Sequence, residues 1–319
     1  MVDSFRTVLI GGENARRAAF KIGEFDHLCG LPFSVAGFVN PNASEKFQLV
    51  NCGWEWFDLP VYKDARRAVT SDQSIDSAVL YMNAKYVLEW VKELARIPQV
   101  KNVVIFAEDV PERDAREICH LSLVTGKNII GPSSTGMVAA GKGRLGEIGG
   151  DWKNLNLCHL DKPGNVGLIT KSGGLAGELI WVVSQHSSGI STAVQIGGDA
   201  FPATDYVHWL KKFMKDGQTK EIVMAGEAGG DLEERVASWY KTTNYELRTT
   251  NPPFKLIAVV SGRFLEQMPK GQKFGHAGAK QEESGFGSAK HKIEALANAG
   301  IEVVPFEELG KVLKDLTKE

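Results

Sequence analysis

The 319-residue sequence predicts an α/β protein of two domains, each built on a parallel sheet. Three observations carry that reading. Short β-branched apolar runs alternate with longer helical patterns from end to end, as in chains of βαβ units. The runs fall into two sets divided by a glycine-rich, helix-poor stretch, and the length is that of two ordinary domains. The first set predicts strands near 7–10, 34–39, 77–82, 103–107 and 128–130, with helices such as 86–97 and 113–125 between them. It closes at Gly131-Pro132. The stretch GPSSTGMVAAGKGRLGEIGG that follows reads as a linker and ligand loop, bounded here as 131–160. The second set predicts strands near 166–170, 192–196, 221–225, 255–260 and 302–304, and a last helix over 306–316.

Composition excludes several function classes. A formal charge of -2 with 24% charged residues gives no basic face for a nucleic acid backbone, so small molecules or proteins are the expected partners. Cys29, Cys52, Cys119 and Cys158 have no CxxC spacing and read as reduced thiols, with neither a disulfide frame nor a metal site. No apolar run reaches membrane length and the start MVDSFRTVLIGG reads as a strand, so a cytoplasmic protein without a membrane partner is expected.

Strand after strand ends in glycine: IGGENARR at 10–17, TKSGG at 170–174, IGGD at 196–199, AGEAGGD at 225–231 and VSGR at 260–263. In open α/β sheets this is the edge where anionic ligands meet the N–H groups of the following helices. Any one such turn serves equally as a plain strand-to-helix turn. Gly11 and Gly12 occupy the usual place for a nucleotide phosphate, but IGGENARR lacks the full GxGxxG and an acidic ribose ligand, which disfavours a dinucleotide. Arg16 and Arg17 suggest a ligand with extra phosphates, such as coenzyme A with its 3'-phosphate, although a solvated basic turn would carry the same residues. The tract FGHAGA at 274–279 sets His276 between small residues. An imidazole that is phosphorylated at one place and dephosphorylated at another needs such uncrowded surroundings. There is no GxxxxGK[ST] run, so a reaction that consumes ATP requires the nucleotide on another polypeptide.

These pieces resemble, in order and over nearly the whole chain, the α-type subunit of the succinyl-CoA synthetase superfamily. They are AEDVP at 107–111, IIGPSSTG at 129–136, the TKSGG turn, IGGDAFP at 196–202, GEAGG at 226–230 and GHAGA at 275–279 leading into KIEALANAG. EFDHLCG at 24–30, SVAGFVNP, KFGHAGA and the tail FEELGKVL are similar to the citrate branch, ATP citrate lyase and citryl-CoA synthetase. The chain ends after its last helix, so the resemblance implies a small subunit of the citryl-CoA synthetase type, without the citrate-synthase-like module of the lyase. After GHAGA the pattern departs from the succinate branch, with Lys280, Gln281, Glu282 and Glu283.

The resemblance implies a Rossmann-like CoA-binding domain over 1–130 and a flavodoxin-like ligase domain over 131–319. It also implies a phosphohistidine at His276, charged from ATP and magnesium on a separate ATP-grasp (β-type) subunit of a hetero-oligomer and discharged to citrate as an acyl phosphate. Glu227 and Glu108 match the acids that hold the histidine, and such a carboxylate fixes one ring nitrogen and leaves the other nucleophilic. Ser134, Thr135 and Gly136, at a matching helix start, and Ser172, Gly173 and Gly174 are expected to meet the phosphoryl and acyl phosphate groups. CoA contacts are implied at Gly11, Gly12, Glu13, Asn14, Arg16, Arg17, Asn40, Pro41, Lys46, Met82 and Asn83. Three alternatives stand beside this: a succinate-type ligase subunit for another carboxylic acid, a subunit of an ATP citrate lyase, and a CoA-binding regulatory protein without catalysis.

Overall fold

The structure, a computed structural model, describes residues 4–52, 54–247, 254–262 and 287–316. Two seven-stranded sheets organise them. The first holds β1 (Thr7–Gly11), β2 (Val35–Val39), β3 (Phe47–Asn51), β4 (Trp56–Tyr62), β5 (Ser77–Tyr81), β6 (Asn102–Ile105) and β7 (Asn128–Ile130), in the order β3-β4-β2-β1-β5-β6-β7. All neighbours are parallel except β3, which pairs antiparallel with β4 at the edge. Without β3 this is the doubly wound dinucleotide-fold order, whose direction of winding reverses between β1 and β5.

The second sheet holds β8 (Gly136–Ala139), β9 (Gly143–Gly146), β10 (Val166–Thr170), β11 (Ile190–Gln195), β12 (Glu221–Glu227), β13 (Lys255–Ser261) and β14 (Glu302–Val303), in the order β14-β13-β12-β10-β11-β8-β9. Its five parallel strands follow the flavodoxin order, with the reversal between β10 and β12. The predicted linker is corrected here. Residues 136–146 form two strands that continue the second sheet, β8 antiparallel to β11 and β9 antiparallel to β8. Glycine and alanine dominate them, so they lack the β-branched signature by which strands are read from sequence. The β3–β4 hairpin was likewise absent from the expected strands. Phe47, Leu49 and Trp56 put apolar side chains on its exposed face, so hydrophobicity does not follow the inward-outward alternation.

The helices form where periodicity and caps agree. In α3 (Val87–Ala95), Val87, Leu88, Val91 and Leu94 make one buried stripe. A left-handed Gly126 with φ 68° ends α4 (Glu112–Thr125). The Asp205 carboxylate caps α7 (Tyr206–Met214) by accepting the His208 N–H at 2.9 Å. The strands around each reversal are buried on both faces and read as unbroken apolar runs. One apolar cluster runs from Leu9 and Phe38 through Met137 and Val194 to Trp209 and Ala258, so the two sheets share core. The ring nitrogen Nε2 of His208 also meets the Asn128 side-chain oxygen at 3.0 Å across the two halves.

All four cysteines are free. Burial pushes the Cys29 thiol up to about 12 and those of Cys52 and Cys119 to about 11, and it raises that of Cys158 as well. Among the described residues no helix is long and apolar enough to cross a membrane.

Candidate functional site

The carboxyl end of β1 lies at the first reversal. Gly11 adopts φ +147°, and a Cβ there would fall 2.2 Å from the Tyr81 carbonyl oxygen on β5, so only glycine lets the two strand ends approach. Gly12 then caps α1 (Glu13–Leu28) without a side-chain hydrogen bond, and a Cβ on it would meet nothing within 4 Å. The first-turn N–H groups of a 16-residue helix therefore face open space with the positive end of its dipole. Two hollows adjoin this point. Gly12, Glu13, Asn14, Met82 and Asn83 line one of about 380 Å³. Gly11, Gly12, Asn40, Pro41, Met82 and Asn83 line another of about 550 Å³.

Three expected contacts lie elsewhere. Arg16 and Arg17 are not in either lining and reach back along α1 to Glu13, at 3.8 and 3.6 Å. Lys46 is exposed just before β3, where its carbonyl accepts the Val61 N–H. Nothing in the spacing of IGGENARR distinguishes a basic side chain facing the crevice from one facing solvent.

The second site sits at the reversal of the second sheet, in a cavity of about 550 Å³ between the two halves. Phe106, Glu108 and Asp109 come to it from beyond β6, and Ser133, Ser134 and Thr135 from the segment before β8. Lys171 and Ser172 follow β10, and Gly173 and Gly174 open α6 (Gly173–His186). Gln195 holds the floor. Its amide nitrogen donates to the Ser133 carbonyl at 3.0 Å and to the Lys171 carbonyl, while its amide oxygen accepts the Thr135 N–H.

Gly136 does not belong to this lining, and no helix starts there. It is the first residue of β8, its N–H donates to the Ser134 hydroxyl at 2.9 Å, and a Cβ on it would collide with the Leu145 carbonyl of β9. Its glycine serves strand approach.

Charge is buried around the end of β12. The Lys171 ammonium meets the Glu227 carboxylate at 3.0 Å, with both side chains under a tenth exposed. Glu227 reaches the cavity through that lysine and does not line it. From the other side, the Glu227 N–H donates to the Glu233 carboxylate at 3.0 Å, and the fully buried Lys292 ammonium pairs with that carboxylate. In each pair the two buried side chains fix each other in place. Asp199 also lines the cavity, and burial raises its pKa against the opposing pull of the Phe201 N–H and Lys171. Glu108 is exposed on the facing wall. His276 lies outside the described residues.

The sequence reading missed Lys171, Gln195 and Asp199. The signal for each was its place at a strand end or within four residues beyond it.

With this geometry in view, known proteins supply the matching domains. Residues 4–109 match the CoA binding domain and residues 169–308 match the CoA-ligase domain. The chain thus carries a CoA binding domain and a CoA-ligase domain. Among curated relatives, the probable ATP-citrate synthase subunit 1 of Neurospora crassa is 32% identical over 303 residues, 94% of this chain and 44% of that protein. ATP-citrate synthase beta chain protein 1 of Arabidopsis thaliana is 33% identical over 294 residues, 92% of this chain and 47% of its own length. A solved ATP citrate lyase of Methanothrix soehngenii, in complex with citrate and coenzyme A, superimposes with a TM-score of 0.91 at 28% identity, over 99% of this chain and 50% of that one. The chain thus spans about half the length of the relatives it matches.

Proposed function

We propose that the chain is the CoA-binding subunit of a cytoplasmic ATP-dependent acid–CoA ligase that forms citryl-CoA from citrate, coenzyme A and ATP. The observation that carries this is the adjacency of two anion-receptive strand edges, one open at Gly11-Gly12, the other lined by Lys171, which Glu227 holds from behind, at the start of α6.

The residues of the first edge fit coenzyme A. The uncapped α1 N-terminus and the open face of Gly12 suit a pyrophosphate, with Asn14, Asn40, Pro41, Met82 and Asn83 around it. In this reading Glu13, Arg16, Arg17 and Lys46 act at the mouth, towards a protruding phosphate. When bound, coenzyme A supplies the thiol that displaces inorganic phosphate from an acyl phosphate.

At the second edge, a ring nitrogen of His276 displaces ADP from the γ-phosphoryl group of ATP, which with magnesium is held by an ATP-grasp partner. A carboxylate oxygen of citrate then takes the phosphoryl group and frees the ring. Glu227 and Glu108 orient the imidazole. Ser172, Gly173 and Gly174 offer the α6 N-terminus to the transferring group, and Ser134 and Thr135, held by Gln195, line the wall it faces, so developing charge meets preset dipoles.

The test is reconstitution with the ATP-grasp partner and γ-labelled ATP. Base-stable, acid-labile label should appear on the chain and vanish in His276→Ala, together with thioester formation. Label that persists in the variant, or turnover above a few per cent of wild type, overturns the covalent route. Acetyl-CoA and oxaloacetate among the products would move the assignment from a synthetase to a citrate lyase, and succinate preferred over citrate would move it to the succinate branch.

A further inference from the structure

β12 runs on past one of its neighbours. Its pairing with β10 ends at Ala225, while its pairing with β13 continues through Gly226 to Glu227. On this overhang a side chain takes the place of a strand. The Glu227 N–H donates at 3.0 Å to the carboxylate of Glu233, in the first turn of α8 (Leu232–Leu247). Gly226 leaves the room for it, because a Cβ there would fall 2.7 Å from the Glu233 side chain.

Glu233 is held in turn. Its other carboxylate oxygen accepts from Lys292 on α9 (Ala289–Asn298). Lys292 is fully buried, and each of its three protons has an acceptor, the other two being the Gly230 carbonyl at 3.1 Å and Glu234 at 3.2 Å. Backbone ties the same turn to the approach to α9, where the Gly229 N–H donates to the Gly287 carbonyl at 2.8 Å. An apolar contact would join the two helices as well as a buried ion pair does. What it could not do is accept the Glu227 N–H.

We infer that Glu233, held by Lys292, is a positioning residue for the cavity: it fixes the backbone of Glu227, and with it the Lys171–Glu227 pair. The inference rests on the proposed role of Glu227 in orienting the histidine.

The test times the labelling of the chain by γ-labelled ATP in the complex with the ATP-grasp partner. The double variant Glu233→Leu with Lys292→Met removes the buried pair whole, so it should fold with a melting temperature near that of wild type. Label should appear at least about 20-fold more slowly, while the fraction of chain that finally takes label stays as in wild type. Glu233→Met alone, in which Lys292 keeps Gly230 and Glu234, should be slowed as much, so the test does not depend on one variant folding. Glu233→Gln keeps an oxygen for the Glu227 N–H and should stay within about fivefold of wild type. Wild-type rates in both the double variant and Glu233→Met, or Glu233→Gln as slow as either, overturn the inference. So does a smaller labelled fraction that forms at the wild-type rate, the mark of lost folded chain alone. Glu227→Gln labelled at the wild-type rate defeats the reading of Glu227 itself, and is told apart because Glu233 and Lys292 are then unchanged.

Discussion

The strand edges of the two sheets are made of opposite materials. At the first, backbone N–H groups, asparagines and a methionine surround Gly11 and Gly12, and the basic residues stand outside on α1 and before β3. At the second, Lys171, Glu227, Glu233 and Lys292 are buried in pairs at the end of β12. A site that only grips a soluble anion works with dipoles and solvent-facing charge, which release as readily as they hold. A site that moves a charged group needs ions fixed beforehand, and buried pairs are rigid because separating them leaves a charge unsolvated.

Breaking a pair at the second edge gives the largest expected effect. Lys171→Met leaves the Glu227 carboxylate buried without its ammonium, a loss of about 3–5 kcal/mol by urea denaturation. Lys171→Arg should recover most of it. A loss below about 1 kcal/mol for the methionine variant would mean that the pair is effectively solvated and that the contrast between the edges is only one of composition.

The next effect concerns a buried acid of the first half that has no such partner. Asp26, 2% exposed on α1, accepts from the Ser34 N–H and hydroxyl with one carboxylate oxygen, and its other oxygen is buried without a hydrogen bond. Burial raises its pKa from 3.8 to about 6. Because the folded value exceeds the unfolded one, its contribution is complete below about 3.8 and is lost as pH rises through about 6, an effect of ~3 kcal/mol. Asp26→Asn keeps an acceptor for Ser34 and should remove this fall. Relative to wild type, the variant should gain stability between pH 4.5 and 7.5 in denaturant titrations, and a constant difference across that range would refute the raised pKa. His208 runs the other way in wild type and variant alike. Burial lowers its pKa to about 4, so its share is present above about 6.5 and lost as pH falls towards 4.

The smallest effect sharpens the first edge. The spacing of IGGENARR alone suggests a direct phosphate contact from Arg17, worth about 1–3 kcal/mol. Its side chain is instead 74% exposed and pairs with Glu13. Arg17→Ala should therefore change coenzyme A affinity by less than about 1 kcal/mol, as for exposed ion pairs generally, and the loss should shrink with salt. A larger loss, absent for dephospho-CoA, would return the arginine to the 3'-phosphate.

Legibility from sequence followed burial and period. The doubly buried strands such as VAGFV and SAVLY announce themselves by composition alone, whereas the order of strands within each sheet came only with the family resemblance. The glycine-rich strands from Gly136 to Gly146 and the exposed hairpin at Phe47 and Trp56 do not, because tertiary pairing decides their state and not local preference. At the site, strand-end glycines marked both edges. Which side chain turns inward, Lys171 and not Arg17, depends on helix rotation and on partners more than fifty residues away, and no local pattern encodes that.

The burial of Cys29, Cys52, Cys119 and Cys158 has a further consequence. With every thiol pushed towards its neutral form, the chain presents almost no thiolate at neutral pH, the species that attacks acyl phosphates and disulfides. Under the proposed function, a protein built this way does not acylate itself while an activated acid waits nearby. Disulfide reagents that colour on reaction with free thiols can then count a small-molecule thiol in its presence against a nearly silent protein background.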